Sequence, residues 1–225
     1  MCGRYSQHHS VDEIVKQFGV QFITGDRIAE ETGRYNIAPT QQVPVIVENG
    51  GRFLDTMRWG LVPGWAKDLK VGNKMINAQA ERVAISPAFK TSLARRRCLI
   101  PADGFYEWLS GTKKQPIYFR RRDHGLFAFA GLWDTWRSPE GEEIRSCTVI
   151  TTEPNELVAP VHNRMPVILD GATADAWLDT GGTPAATAQT LLGPYDASLM
   201  ESLPVSTRVG SPREQGADLI ERIAL

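Results

Sequence analysis

Between residues 98 and 152 the chain passes through CLIPADGFYEW, QPIYFRR, GLFAFAGLW and SCTVITT, with little helical periodicity anywhere in the stretch. Each run is apolar throughout or alternates apolar with polar, and each is bounded by Gly, Pro or Asp, the trace that β-strands leave in a sequence. Strands that arrive in a cluster, with few helices between them, argue against a doubly wound parallel sheet. They predict an α+β fold with a mainly antiparallel, barrel-like core and a few short flanking helices.

The flanks carry their own signals. Ser10 followed by Glu13 makes a capping box ahead of Ile14, Val15 and Phe18 and predicts a helix over 11–18. VPVIVE and FLDTMRW lie on either side of Asn49-Gly50-Gly51, so residues 43–59 read as a hairpin. Ser86-Pro87 reads as the N-cap and first-turn proline of a helix running to about Arg95. TADAWLD and PAATAQTLLG read as helices, and GADLIERI as one more helix or turn. A chain of 225 residues, 42% of them hydrophobic, is long enough for one core, and a single domain over 1–225 is expected.

The formal net charge is −1 and the pI about 6.4, which excludes a body that binds nucleic acid by bulk positive charge. Any polyanion contact must come from a local patch. Cys2, Cys98 and Cys147 are too far apart for a disulfide framework or a metal knuckle, and they fit a reducing, cytoplasmic compartment. Cys98 and Cys147 lie in apolar strand-like runs and read as buried inert thiols. There is no apolar leader, and no stretch nears the roughly 18 apolar residues of a membrane span. His8-His9 has no thiol or carboxylate at ligand spacing and reads as surface, so neither a metal nor a cofactor is expected.

Several segments are more polar, or more punctuated by Gly and Pro, than a core requires. These are MCGRY at the start, GRYNIAP at 33–39, RWGLVPGWA at 58–66, NKMINAQAE at 73–81, PADGFYEW at 101–108 and VHNRMPVIL at 161–169. Each alone has an ordinary explanation. Trp59 and Trp65 read as core or turn-packing aromatics, His162 as a satisfied loop histidine, Glu107 as the outward residue of an alternating strand, and Asn77 as a turn residue.

In that order and at those spacings the segments resemble the SOS-response-associated peptidase (SRAP) family, whose members crosslink to abasic sites in single-stranded DNA. The resemblance extends to PVSTRVGSPREQGADLIERI at 204–223. It implies that Cys2, if Met1 is removed, carries an α-amine and a thiol on adjacent carbons, a pair that can condense twice with one aldehyde to form a thiazolidine. An ordinary α-amine titrates near ~7.7–8.0 and a cysteine near ~8.5, so both reactive forms would be present near neutral pH without a large shift.

The resemblance also assigns roles. Glu107, raised by its apolar neighbours, would act as general acid–base. Asn77 would hold the Cys2 amine or the sugar, and His162 would contact a phosphate or assist proton transfer. Arg4, Arg34, Arg58 and Arg164 are the candidates for phosphate contacts, Arg4 ahead of Arg58, and Trp65 would stack or wedge beside the lesion. Gln79 stands where the family usually has arginine, which removes a charged DNA contact and predicts a shallower salt dependence. Arg95-Arg96-Arg97 and Arg120-Arg121-Arg122 read as solvated or distal faces. The expected partner is single-stranded DNA with abasic sites, bound by a monomer that associates with the nucleoid at damage.

Two rival readings remain open. Cys2 could be an amino-terminal nucleophile of a peptidase or amidohydrolase, with His162 or the α-amine as base. Alternatively, the chain could be a non-covalent single-strand binding module in which Cys2 is incidental.

Overall fold

The computed structural model describes residues 2–25, 28–109, 111 and 114–224. In chain order the first half comprises β1 (Tyr5–Gln7), α1 (Val11–Phe18), β2 (Phe22–Ile23), α2 (Ile28–Glu31), β3 (Arg34–Ile37), β4 (Gln42–Glu48), β5 (Arg52–Trp59), β6 (Asn77–Gln79) and α3 (Lys90–Arg95). The second half comprises β7 (Arg97–Ala102), β8 (Gly104–Trp108), β9 (Pro116–Arg121), β10 (Phe127–Arg137), β11 (Glu143–Thr152), β12 (Met165–Pro166), β13 (Ile168–Leu169), α4 (Gly171–Leu178), α5 (Ala185–Gln189) and β14 (Met200–Pro204). Helices are few and short, and the α+β class stands. Among the described residues no helix is long and apolar enough to cross a membrane.

Local signals placed two elements as expected. Ser10 caps α1 with a reciprocal bond to Glu13, and Gly19 closes the helix in the left-handed conformation. The β4–β5 hairpin pairs Glu48 with Arg52 across Asn49-Gly50-Gly51, with Gly50 at φ +65°.

Other boundaries moved. The carbonyl of Ser86 accepts from the N–H of both Phe89 and Lys90, so residues 86–89 form a turn and the continuous α-helix begins only at Lys90. CLIPADGFYEW is two strands in different sheets, divided at Asp103. GADLIERI contributes a 3-10 turn over Ala217–Ile220.

β11, β10, β7, β4 and β5 are neighbours in that order, and the series closes because β11 also pairs with β5, in parallel, at Ser146↔Arg58 and Cys147↔Trp59. Alternation along these strands gives two apolar faces. Ile46, Leu54, Leu99, Ala130, Leu132 and Ile150 pack against Ile14 and Phe18 of α1 and Trp177 of α4. Val43, Val45, Met57, Trp59, Cys98, Phe127, Phe129 and Cys147 form a second cluster. That cluster is completed by a five-stranded sheet, ordered β14-β9-β8-β1-β3, through Tyr5, Ile37, Phe105 and Phe119. Tyr5 meets Trp59 and Phe129 edge-on at 5.3 and 5.5 Å, which pins β1 against the ring. Cys98 and Cys147 are fully buried in this cluster, with burial raising their pKa values, as inert thiols should be.

Two details fix β1 against β8. Tyr118 lies across Gly104, where an added Cβ would sit 2.3 Å from the ring, and its hydroxyl bonds Ser6 Oγ at 2.7 Å. Asp103, at the corner before β8, bonds His8 and His9 and overturns the reading of those histidines as surface residues without a carboxylate partner. The carboxylate comes from a strand corner more than 90 residues away in sequence, so spacing could not reveal it.

Candidate active site at the amino terminus

β1 and β8 pair antiparallel at Tyr5↔Phe105 and Ser6↔Gly104, and the Tyr106 N–H donates to the Arg4 carbonyl at 2.9 Å. Continued toward the amino terminus, this register brings residues 2 and 3 beside Glu107 and Trp108. Cys2 is fully buried and belongs to the core cluster. Asn77 reaches it from β6, whose parallel pairing to β11 sets Asn77 opposite Val149, and donates from Nδ2 to the Cys2 carbonyl at 2.8 Å.

Glu107 is a strand residue at 4% exposure, not the outward residue expected of an alternating strand. Burial raises its pKa to about 7. His162 Nδ1 lies 4.0 Å from Glu107 Oε1. The same Nδ1 lies 3.0 Å from the Arg164 N–H and 3.1 Å from the Arg164 carbonyl, and burial lowers the histidine's pKa, which favours the uncharged ring. Cys2, Asn77, Glu107 and His162 therefore meet at one place, although the sequence spreads them over 161 positions (2 to 162).

The thiol is the main departure from expectation. Burial, and then the nearby Glu107 carboxylate, push the Cys2 pKa far above its ordinary value. A standing thiolate population near neutral pH is therefore replaced by a protonated thiol that needs a base as it reacts.

Two clefts flank this centre. One, of about 440 Å³, is lined by Glu107, Trp108, Leu109, Lys114, His162 and Gly210. The other, of about 400 Å³, is lined by residues that include Asn77, Gln79, Arg82, Ile85, Thr151 and Arg164. Gln79 and Arg164 thus join the site. Arg164 is held by Glu81 through two bonds of 2.8 and 3.0 Å and by the Thr151 carbonyl at 2.5 Å.

Arg4 borders the first cleft, its guanidinium 5.9 Å from the ring centre of Trp108, whereas Arg34 and Arg58 are held by partners outside both clefts. Arg4 donates to Asn36 Oδ1 at 2.8 Å and the Val209 carbonyl at 2.5 Å, tying the 206–216 segment to β1. Arg34 pairs with Glu31 and donates to the Gln42 carbonyl at 2.9 Å; its register partner is Gln7, five residues or roughly 16 Å along β1 from Cys2. Arg58 donates to the Gly60 carbonyl at 3.1 Å and to Asn73 at 2.6 Å. Trp59 is a core residue, whereas Trp65 is 64% exposed on a turn fixed at both sides, by Gly64 N–H to Asp134 at 3.2 Å and Trp136 Nε1 to the Ala66 carbonyl at 2.7 Å.

Glu81, Thr151, Asn36 and Gln215 had no role in the sequence reading. Asn36 Nδ2 donates to the carbonyls of Val209, Ser211 and Glu214, and Gln215 Oε1 accepts from the N–H groups of Tyr35 and Asn36. Both residues lie in segments that the family resemblance covers, but only their contact across 179 positions gives them a task.

The family model for the SOS response associated peptidase (SRAP) matches residues 1–212, and the chain belongs to that family. Abasic site processing protein YoqW of Bacillus subtilis (strain 168) is 44% identical over 225 residues, covering 98% of this chain and 99% of that protein. Abasic site processing protein HMCES of Gallus gallus is 34% identical, over 85% of this chain and 66% of its own length. Among solved structures, a protein from Bacteroides thetaiotaomicron shares the fold with a TM-score of 0.88 at 24% identity, covering 99% of this chain and all of that one. A protein from Bordetella bronchiseptica matches with a TM-score of 0.76 at 27% identity, over 91% of this chain and all of that one.

Proposed function

We propose that this protein captures abasic sites in single-stranded DNA as a covalent adduct on Cys2 once Met1 has been removed. The observation that carries the reading is the convergence of Asn77, Glu107 and His162 on residue 2, with clefts on either side. The relatives YoqW and HMCES, both abasic site processing proteins, point to the same lesion.

The ring-opened abasic sugar is an aldehyde. The neutral Cys2 amine attacks its carbon and water leaves, giving an imine. The thiol sulfur then adds to the same carbon while its proton passes to nitrogen, and the overall loss is one water. Because the second addition is intramolecular, its effective molarity can reach about 10⁵ M or more, so the ring outlasts an open imine. Glu107, titrating near neutrality, accepts the thiol proton and returns it to nitrogen, and it serves as acid in the dehydration. Neutral His162 relays protons or holds a phosphate, and Arg164 with Gln79 meets the backbone. Trp65 stacks beside the lesion. The peptidase of the family's name corresponds here to removal of Met1.

The test is a denaturing gel of the protein with abasic single-stranded DNA and no reductant. A band that survives in wild type and is absent from Cys2→Ala and from a form retaining Met1 supports the reading. Trapping by the Met1-retaining form overturns it.

A further inference from the structure

At the far end of the β1–β8 strand pair, remote from Cys2, three metal-type donors face one another. One ring nitrogen of His8, one of His9 and an Asp103 carboxylate oxygen all lie within 4.8 Å of one another. Asp103 is 4% exposed, and a buried carboxylate is stable only where its charge is met. The backbone N–H groups of His8 and His9 both donate to its Oδ2, the latter at 3.2 Å, which aims the carboxylate between the two rings. His9 Nδ1 contacts Oδ1.

The second observation concerns His8. Its Nδ1 is a buried nitrogen with no hydrogen-bond partner, 3.2 Å from Asp103 Oδ2. A buried orphan of this kind calls for an explanation such as an ion. The ring is also held in place, stacked on Tyr35 at 4.8 Å and 7° between planes, and Gln7 Nε2 fixes the backbone by donating to the His9 carbonyl at 2.7 Å.

We propose that His8, His9 and Asp103 form a binding site for a divalent first-row transition metal ion. Two imidazoles and a carboxylate are the donors such ions take, at roughly 2.0–2.2 Å each. The histidine side chains are 25% and 22% exposed, so water can complete the coordination shell. An ion there would bridge the end of β1 to the corner before β8. Those strands carry Cys2 and Glu107 at their other ends, and Asp103 is four residues, roughly 13 Å, from Glu107. The role is a staple for the strand pair, outside the reaction centre.

The experiment titrates untagged, chelator-stripped protein with Co²⁺ and Zn²⁺, reading cobalt d–d absorption and the zinc-dependent shift in melting temperature. One equivalent of cobalt is expected to bind, and a Cys2→Ala variant should bind it equally, which separates this site from the thiol. His9→Gln and Asp103→Asn should weaken binding by at least tenfold. His8→Gln, at a partly exposed side chain, tests the same point should Asp103→Asn fail to fold. Absence of a cobalt spectrum in wild type, full binding in the histidine variants, or loss of binding in Cys2→Ala overturns the site.

Discussion

Asn77 Nδ2 donates to the carbonyl of Cys2 at 2.8 Å, across 75 positions of sequence. The bond fixes the backbone of the residue whose amine and thiol are to react, and it does so from a strand anchored on β11. Asn77→Ala is expected to cost about 1 kcal/mol of stability. It should also slow adduct formation at least tenfold while leaving affinity for intact single strands near wild type. Single-turnover crosslinking beside a binding titration checks this, and an unchanged rate removes the anchoring role.

Glu107 should shape the pH dependence of crosslinking. With its pKa near 7, both the acid and the base form are available across pH 6–8. Glu107→Gln is expected to slow the reaction by about 10²-fold, within the usual range for a lost general acid–base, and to flatten the rate between pH 6 and 8. Rates of formation and reversal measured over that window decide it. A parallel profile in the variant assigns the titration to another group.

The same carboxyl makes a stability prediction with a definite sign. Its folded-state pKa of about 7 lies above the reference value of 4.5, so the native state holds the proton more tightly than the unfolded chain. The stability it contributes is full below about pH 4.5 and is lost as pH rises through 7. Glu107→Gln should therefore gain on wild type between pH 5 and pH 8, by ~1–3 kcal/mol in denaturant melts. Equal pH dependence in the two proteins would contradict the burial.

Salt dependence isolates the charged contacts beside Cys2. Each phosphate neutralised on a single strand contributes about 0.7 to the slope of log K against log salt. Gln79→Arg should steepen the slope by about that amount, and Arg164→Ala should flatten it similarly. Identical slopes in all three proteins would place both residues outside the DNA path.

Gly104 is a structural test independent of function. A methyl group there would meet the Tyr118 ring at 2.3 Å, with backbone and core leaving neither side room to move. Gly104→Ala should destabilise by about 2–3 kcal/mol, near the top of the usual overpacking range. Shortening the ring in a Gly104→Ala/Tyr118→Leu double variant should recover part of that loss.

The elements that were legible in sequence are those whose physics is local. The capping box at Ser10 and Glu13 and the turn at Asn49-Gly50-Gly51 place their helix and hairpin from a few neighbouring residues. Alternation marked β9, β10 and β11 for the same reason. The segments containing Cys2, Asn77, Glu107 and His162 were visible too, because polar and Gly-rich residues in strand-forming surroundings stand out and because their order resembles one family.

Tertiary structure decided what those residues are. Closure of the ring through β5 and β11 pairs segments far apart in sequence, and no local signal encodes that pairing. Packing of the β1–β8 pair against that ring buries Cys2 in the shared core, and burial sets the protonation of Cys2 and Glu107: a thiol that keeps its proton and a carboxyl near neutrality. Partner choice was equally hidden. Arg4 and Arg34 look alike as sequence, yet one binds carbonyls of the 206–216 segment and the other pairs with Glu31, because hydrogen bonds and desolvation depend on neighbours in space, which the chain's order alone does not state.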